Sequence, residues 1–324
     1  MKNSTIEALL INCTKIIGLV QILGTADPVK LDNLLSTVEF IEGCLFISNT
    51  NLKNLNFLRN LKEVNCTSAT VQQPGVIAAI FIDRNEDLLS FGIGNLKNVT
   101  MTPPPDMDLD ETIVGSVIFL GNTHLCLTYD EFNSLSYLPL ISLTEIPMCP
   151  TPKPPLPACY VTPDLDVDKS CELFVGIVFI DETTEPEDVA KISKMKQLYG
   201  QFSVRDSLIE ELILPNLTLI VNTATAEMPA ILVLQNSALK TLSFPKLTEF
   251  RGDSPFFDLL LSDNPSLNFS CEAVFPADKT AVVLDESGFL CSNGTSSLLL
   301  NNEFSRPRRL MTLIAMIGVM TFLY

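Results

Sequence analysis

The chain has little of what enzymes and nucleic-acid binders are built from. Its 324 residues include one histidine, His124, which sits in a turn beside Cys126 with no serine or cysteine motif to make it a general base. No Cys-x-x-Cys pair occurs, which removes the usual signature of a zinc site. Gly-rich phosphate loops are missing too. Two acidic runs, Asp106-x-Asp108-x-Asp110 and Asp164-x-Asp166-x-Asp168, begin like calcium loops but carry Val117 and Val175 at the twelfth position and read as solvated loops. Basic residues are scarce: 21 Lys and Arg against 38 Asp and Glu give a net charge of −17, which phosphate backbones repel. The expectation is no enzyme, no cofactor, no metal and no nucleic acid.

Long apolar runs are also lacking. Glu7 interrupts the amino-terminal stretch, so no secretion signal is visible and one is expected to precede Met1. The last run, Leu310 to Tyr324, is fifteen residues long, short of the roughly 17–25 a membrane span needs. Arg306, Arg308 and Arg309 precede it and no basic cluster follows, the reverse of the positive-inside arrangement for an external protein. Small residues around Asn293 and Gly294, a spacer and this tail resemble a lipid-anchor attachment signal, with a short or truncated transmembrane helix as the alternative.

What is present points to a folded, secreted chain. Apolar residues make up 47% and mean hydropathy is +0.30, which argues against disorder. Nine cysteines accompany seven glycosylation sequons, at Asn3, Asn12, Asn65, Asn98, Asn216, Asn268 and Asn293. The expected location is extracellular or at the cell surface.

Short apolar strands run six times into Asn/Asp-x-x-Leu/Ile: Asn49 to Leu52, Asn85 to Leu88, Asn122 to Leu125, Asp206 to Ile209, Asn236 to Leu239 and Asn264 to Leu267. Within each half the units recur every 28 to 37 residues, the period of stacked coils that cannot bury their apolar faces singly. The Asn amide suits a turn off a strand, and the Leu returns to the core. Each half opens with two alternating strands: Ile16-x-Gly18-x-Val20-x-Ile22 and Ile41-x-Gly43-x-Leu45-x-Ile47, then Phe174-x-Gly176-x-Val178-x-Ile180 and Leu198-x-Gly200-x-Phe202-x-Val204. Pro28 to Thr37 and Glu185 to Lys196 have helical character between them. A stiff Pro-rich stretch, Cys149 to Cys159, separates the halves.

In their order, twice over, these residues resemble the receptor L domain, the ligand-binding unit of insulin-receptor and epidermal-growth-factor-receptor ectodomains. The resemblance covers residues 13 to 291. It implies an α/β solenoid of two right-handed parallel β-helices in tandem, similar to leucine-rich repeats. The expected divisions are 1–150 for the first L domain, 151–170 for the Pro-rich linker, 171–292 for the second L domain and 293–324 for the spacer and tail. The furin-like module and kinase of those receptors have no counterpart here, so the likeness is to the stand-alone L-domain proteins of nematodes. The family pattern implies disulfides Cys13–Cys44, Cys126–Cys149 and Cys271–Cys291. Gln201 stands where Cys44 would align, so Cys171 is assigned to Cys159, and Cys66 is left unpaired.

Alternation turns Ile16, Val20, Ile22, Leu45, Ile47, Ile80, Ile82, Val117 and Phe119 inward, and their neighbours outward. The outward ladder is then Leu19, Phe46, Phe81 and Ile118, flanked by Gln21, Ser48, Asp83 and Leu120. Apolar residues on a solvent-side sheet face mark an interaction site, and in the receptors that this chain resembles that face contacts ligand. The second half offers Ile177, Ser203, Leu232 and Leu260. The resulting expectation is a non-enzymatic protein that binds an insulin-like or growth-factor-like peptide, as co-receptor, carrier or decoy. The alternative is an adhesion protein that pairs with other L-domain receptors or matrix.

Overall fold

The computed structural model describes residues 12–67, 76–102, 113–138, 141, 143, 146–150, 153–162, 165–223, 229–251, 259–268, 280–284, 289–292 and 295–298. In the first half, sheet I stacks β1 (Lys15–Ile17), β3 (Phe40–Glu42), β5 (Glu63–Cys66) and β7 (Asn98–Met101). Sheet II stacks β2 (Val20–Leu23), β4 (Leu45–Ser48), β6 (Val76–Asp83) and β8 (Ile113–Leu120). Every pairing in both is parallel. The second half repeats the plan. Sheet III contains β9 (Ala158–Tyr160), β10 (Leu173–Val175), β12 (Gln197–Tyr199), β15 (Leu219–Val221) and β18 (Glu249–Arg251). Sheet IV contains β11 (Val178–Ile180), β13 (Phe202–Arg205), β16 (Ile231–Leu234), β19 (Leu259–Ser262) and β20 (Thr280–Leu284). It ends in the antiparallel strands β21 (Phe289–Ser292) and β22 (Thr295–Leu298). A two-stranded sheet joins β14 (Glu211–Ile213) to β17 (Thr241–Ser243). Among the described residues the α-helices are few: α1 (Pro28–Leu35), α2 (Tyr129–Ser136) and α3 (Pro186–Ile192). The architecture is mostly parallel and β-helix-like.

The period-two alternation places the core as expected. Ile22, Leu45, Ile47, Ile80, Ile82 and Val117 are buried in the first core, with Ile16, Val20 and Phe119 packed against it. Phe174, Val178, Ile180, Leu198, Phe202 and Val204 do the same in the second.

Two backbone devices set the rungs. At the corner from sheet I to sheet II the chain turns through Gly18 (φ +111°) and Gly43 (φ +154°), and from sheet III to sheet IV through Gly176 (+121°) and Gly200 (+152°). Successive corners lie directly on one another. A Cβ on Gly43 would stand 2.0 Å from the Gly18 carbonyl oxygen, and one on Gly200 1.8 Å from that of Gly176.

The second device lies where the chain leaves sheets II and IV. Asn49, Arg84 and Gly121, like Asp206, Gln235 and Asp263, adopt positive φ. The following residue then joins a ladder. Thr50 N–H donates to Asn85 Oδ1 (3.0 Å), and Asn85 N–H to Asn122 Oδ1 (3.0 Å). Ser207 N–H donates to Asn236 Oδ1 (2.9 Å), and Asn236 N–H to Asn264 Oδ1 (3.1 Å). Their Nδ2 groups donate back to strand carbonyls of the preceding coil: Asn85 to Ile47, Asn122 to Ile82, Asn236 to Val204 and Asn264 to Val233. Asn49 and Asp206 therefore begin the motif one residue early. They take the left-handed position, and Thr50 and Ser207 take the ladder position.

The disulfides differ from expectation at one place. Cys44 pairs with Cys66, and Cys13 is free. The rung geometry explains this. The register pairs Ile41 with Val64, which brings Cys44 and Cys66 to neighbouring rungs with Cα atoms 4.7 Å apart, within the reach of a disulfide. Lys15 pairs with Phe40, so Cys13 lies beyond the opposite end of β3, on the order of 15–20 Å of extended chain from Cys44. Cys126–Cys149 and Cys159–Cys171 form as expected. Cys271 lies outside the described residues, and with it the Cys271–Cys291 pairing.

The halves are packed together. Helix α2 opens on a capping box, Thr128 with Glu131, and lies against the outward side of sheet III. There Leu173, Val175, Tyr199, Leu219 and Val221 join the first core. The ring of Phe132 meets Tyr199 edge-on at 5.3 Å, and Tyr199 Oη donates to Asn133 Oδ1 at 2.7 Å. The Pro-rich stretch ends in β9, which adds a parallel rung to β10.

Candidate ligand-binding face

Sheet II carries the outward ladder, and its register corrects the one read from the sequence. Phe46 pairs with Phe81 and Phe81 with Ile118, as expected, but the residue of β2 in that rung is Gln21, and Leu19 lies before the strand. The adjacent rung is Leu23, Ser48, Asp83 and Leu120. The same two-residue slip affects the second half, where Phe179 lies beside Ser203, followed by Leu232 and Leu260, and Ile177 sits at the corner.

The centre of this face is covered. Phe46 and Phe81 stack with ring centroids 5.5 Å apart and are 8% and 0% exposed. Strand β6 is eight residues long where β4 has four. Its extra residues bring Val76 and Ala78 into the same small cluster, with Ile118 half-buried at its margin. Ser48 and Asp83 are buried as well. Ser48 Oγ donates to Asp83 Oδ2 (3.0 Å), and Arg84 Nε pairs with the same oxygen (2.8 Å). The open positions are Leu19, Gln21, Leu23 and Leu120, of which Leu23 and Leu120 are 52% and 40% exposed. On the second half Ser203, Leu232 and Leu260 are buried and Ile177 is exposed.

Other marked residues are scattered. His124 is exposed and its Nδ1 lies 2.7 Å from the Glu86 carbonyl oxygen. Arg251, the first residue of an Arg-Gly-Asp run, is engaged in the seam between the halves: its Nη1 donates to the Tyr137 carbonyl and its guanidinium lies over the Tyr137 ring. Asp168 caps Ser170, whose hydrogen bonds hold its carboxyl below the usual range. Among the sequons, Asn12, Asn98 and Asn268 are exposed, and Asn65 and Asn216 half-buried. Asn3, Asn293, Gly294 and the apolar tail lie outside the described residues. Among the described residues no helix is long and apolar enough to cross a membrane.

The Receptor L domain family profile matches residues 12–137 and 170–276. The chain belongs to the receptor L-domain family. The L-domain protein is 25% identical over 311 residues to Protein irld-34 of Caenorhabditis elegans, across 91% of this chain and 76% of that protein. Membership assigns a ligand-binding, ectodomain-type role without catalysis, and the disulfides agree with an extracellular setting.

The seam of this L-domain protein is also its pH-sensitive part. Burial, reinforced by the Glu249 carboxylate it hydrogen-bonds, pushes the Tyr137 phenol up to about 12. Burial raises the Tyr199 phenol as well. Between the ordinary phenol value near 10 and the raised folded values, the folded chain holds protons that the unfolded chain has lost. Stability is thus complete below about pH 10 and declines as pH rises through about 12. Burial raises Tyr160 too, so an absorbance titration of the five tyrosines is expected to show three ionising late, together with loss of tertiary signal. Replacing Tyr199 with Phe should remove one late group. Uniform titration near pH 10 in a still-folded chain would contradict the assignment.

Proposed function

We propose that the sheet II side of the first half docks an insulin-like or growth-factor-like peptide, and that the protein acts as co-receptor, carrier or decoy. In this reading the two stacks are right-handed parallel β-helices in tandem, and the first presents its sheet as the L domains of the larger receptors do. The observation that carries it is an apolar cluster outside the main core: Phe46 and Phe81 stacked on the outward face, with exposed Leu23 and Leu120 at its two flanks. Rings anchored below and leucines open at the rim form the kind of patch that protein interfaces use.

The rim permits a clean test. Leu23→Asp and Leu120→Asp alter exposed side chains, so the fold should survive, whereas charge at buried Phe46 or Phe81 would unfold the sheet. A pull-down of secreted peptides with the purified ectodomain is expected to capture a small peptide saturably, with at least tenfold loss in either variant (about 1.4 kcal/mol). Peptide capture unchanged in both variants would rule out this face. Capture of another L-domain ectodomain alone would favour the adhesion reading.

A further inference from the structure

The two outward sheet faces of the first half differ in kind. Sheet II is apolar and covered at its centre; sheet I is open and mostly polar, with Ile17 and Phe40 exposed among its polar residues. Its outward rungs are Lys15, Phe40, Glu63 and Asn98, then Ile17 and Glu42, with Asn65 paired to Thr100 beyond. Lys15, Glu42, Asn98 and Thr100 are exposed, and Lys15 pairs with Glu42 at 2.6 Å. Two sequons fall on this face, on neighbouring strands. β5 holds Asn65 of Asn65-Cys66-Thr67, and β7 holds Asn98 and Thr100 of Asn98-Val99-Thr100. The register offsets the two asparagines by one rung and two residues, roughly 8 Å between Cα atoms.

They are not equivalent as acceptors. Asn98 is exposed at the start of β7. Asn65 is half-buried, and the next residue, Cys66, is fixed by its bridge to Cys44; the hydrogen bond from Thr100 Oγ1 to Asn65 Oδ1 (3.0 Å) engages one group of each sequon alike. Two bulky glycans so close on one flat face would also compete for the same space.

We propose that Asn98 is the N-glycosylated residue of this face, with Asn65 at most a minor site, and that its glycan shields sheet I from protein partners. The substrate is an oligosaccharide carried on a lipid diphosphate. Asn98 Nδ2 bonds to the anomeric carbon, the carbon–oxygen bond to the diphosphate breaks, Nδ2 gives up one proton and the lipid diphosphate leaves. The carbohydrate would project from sheet I, leaving the peptide-docking proposal on sheet II independent of it.

The test is the full chain secreted from glycosylation-competent eukaryotic cells, released with N-glycosidase in heavy-oxygen water and mapped by peptide mass. The Asn98 peptide is expected to carry heavy aspartate in most molecules, and the Asn65 peptide in a minority. Asn98→Gln and Thr100→Val should each remove one glycan step on a gel, and Thr100→Ser should keep it. An unmodified Asn98 peptide, or Asn65 as the dominant acceptor, would overturn the assignment. Peptide binding scored on the Leu23 and Leu120 variants reads a different face, so either proposal can fail alone.

Discussion

Gly43→Ala is expected to leave no stably folded chain, and Gly200→Ala to do the same in the second half. An added methyl would overlap the carbonyl oxygen of the coil below at 2.0 Å or 1.8 Å, and that oxygen is backbone, fixed by its own rung. The neighbouring coil cannot yield without breaking strand pairs on both sides. The cost should exceed about 4 kcal/mol, a large share of the whole stability of an ordinary domain. Gly18→Ala isolates the steric part. Gly18 also has a positive φ (+111°), but a Cβ there meets nothing within 4 Å, so only backbone strain of about 1–3 kcal/mol is expected. Urea denaturation followed by circular dichroism would compare them. Equal losses at Gly18 and Gly43 would mean that strain, not coil contact, is what these corners enforce.

The second large effect is expected in the asparagine ladder. Asn85 and Asn236 are completely buried. Asn85→Leu would take the acceptor from both the Thr50 N–H and the Thr50 hydroxyl, remove one donor from the Ile47 carbonyl, and take a partner from Asn122. Each unpaired buried group costs about 1–3 kcal/mol, so a loss of about 3–5 kcal/mol is expected in the same denaturation experiment. Asn49→Gly is the counterpart: its side chain is exposed and its φ of 53° suits glycine, so the change should stay within about 1 kcal/mol. Should Asn49→Gly cost as much as Asn85→Leu, the one-residue displacement of the motif in the leading coils would be wrong.

Much of the fold could be read from alternation, because a period of two admits only two faces and the apolar set occupies one. The register of the leading strands was legible too. Matching Gly18 to Gly43 puts Gln21 beside Phe46, and matching Gly176 to Gly200 puts Phe179 beside Ser203; outward parity alone, without the glycine anchor, does not separate these from Leu19 and Ile177. Helix α2 announces itself as Thr128-x-x-Glu131. Leu173, Val175, Leu219 and Val221 alternate with core residues, a sign that sheet III is dry on both sides. The covering of Phe46 and Phe81 was not legible. Phe46 and Phe81 share a buried cluster with Val76 and Ala78 of β6, a grouping that no local pattern states. The Cys44–Cys66 bridge follows from which rungs are neighbours, information that spacing along the chain does not hold.

The glycine corners also restrict where related chains can vary in length. Between β3 and β4 only Gly43 and Cys44 make the passage, pressed onto the coil below, whereas residues 67–75 link β5 to β6 and residues 102–112 link β7 to β8. Insertions and deletions among relatives should therefore gather in those two longer passages and spare the tight ones. Each passage leads directly into a strand of sheet II, β6 or β8, so lineages that lengthen or trim them would change what enters the proposed docking face while the stacked rungs stay the same.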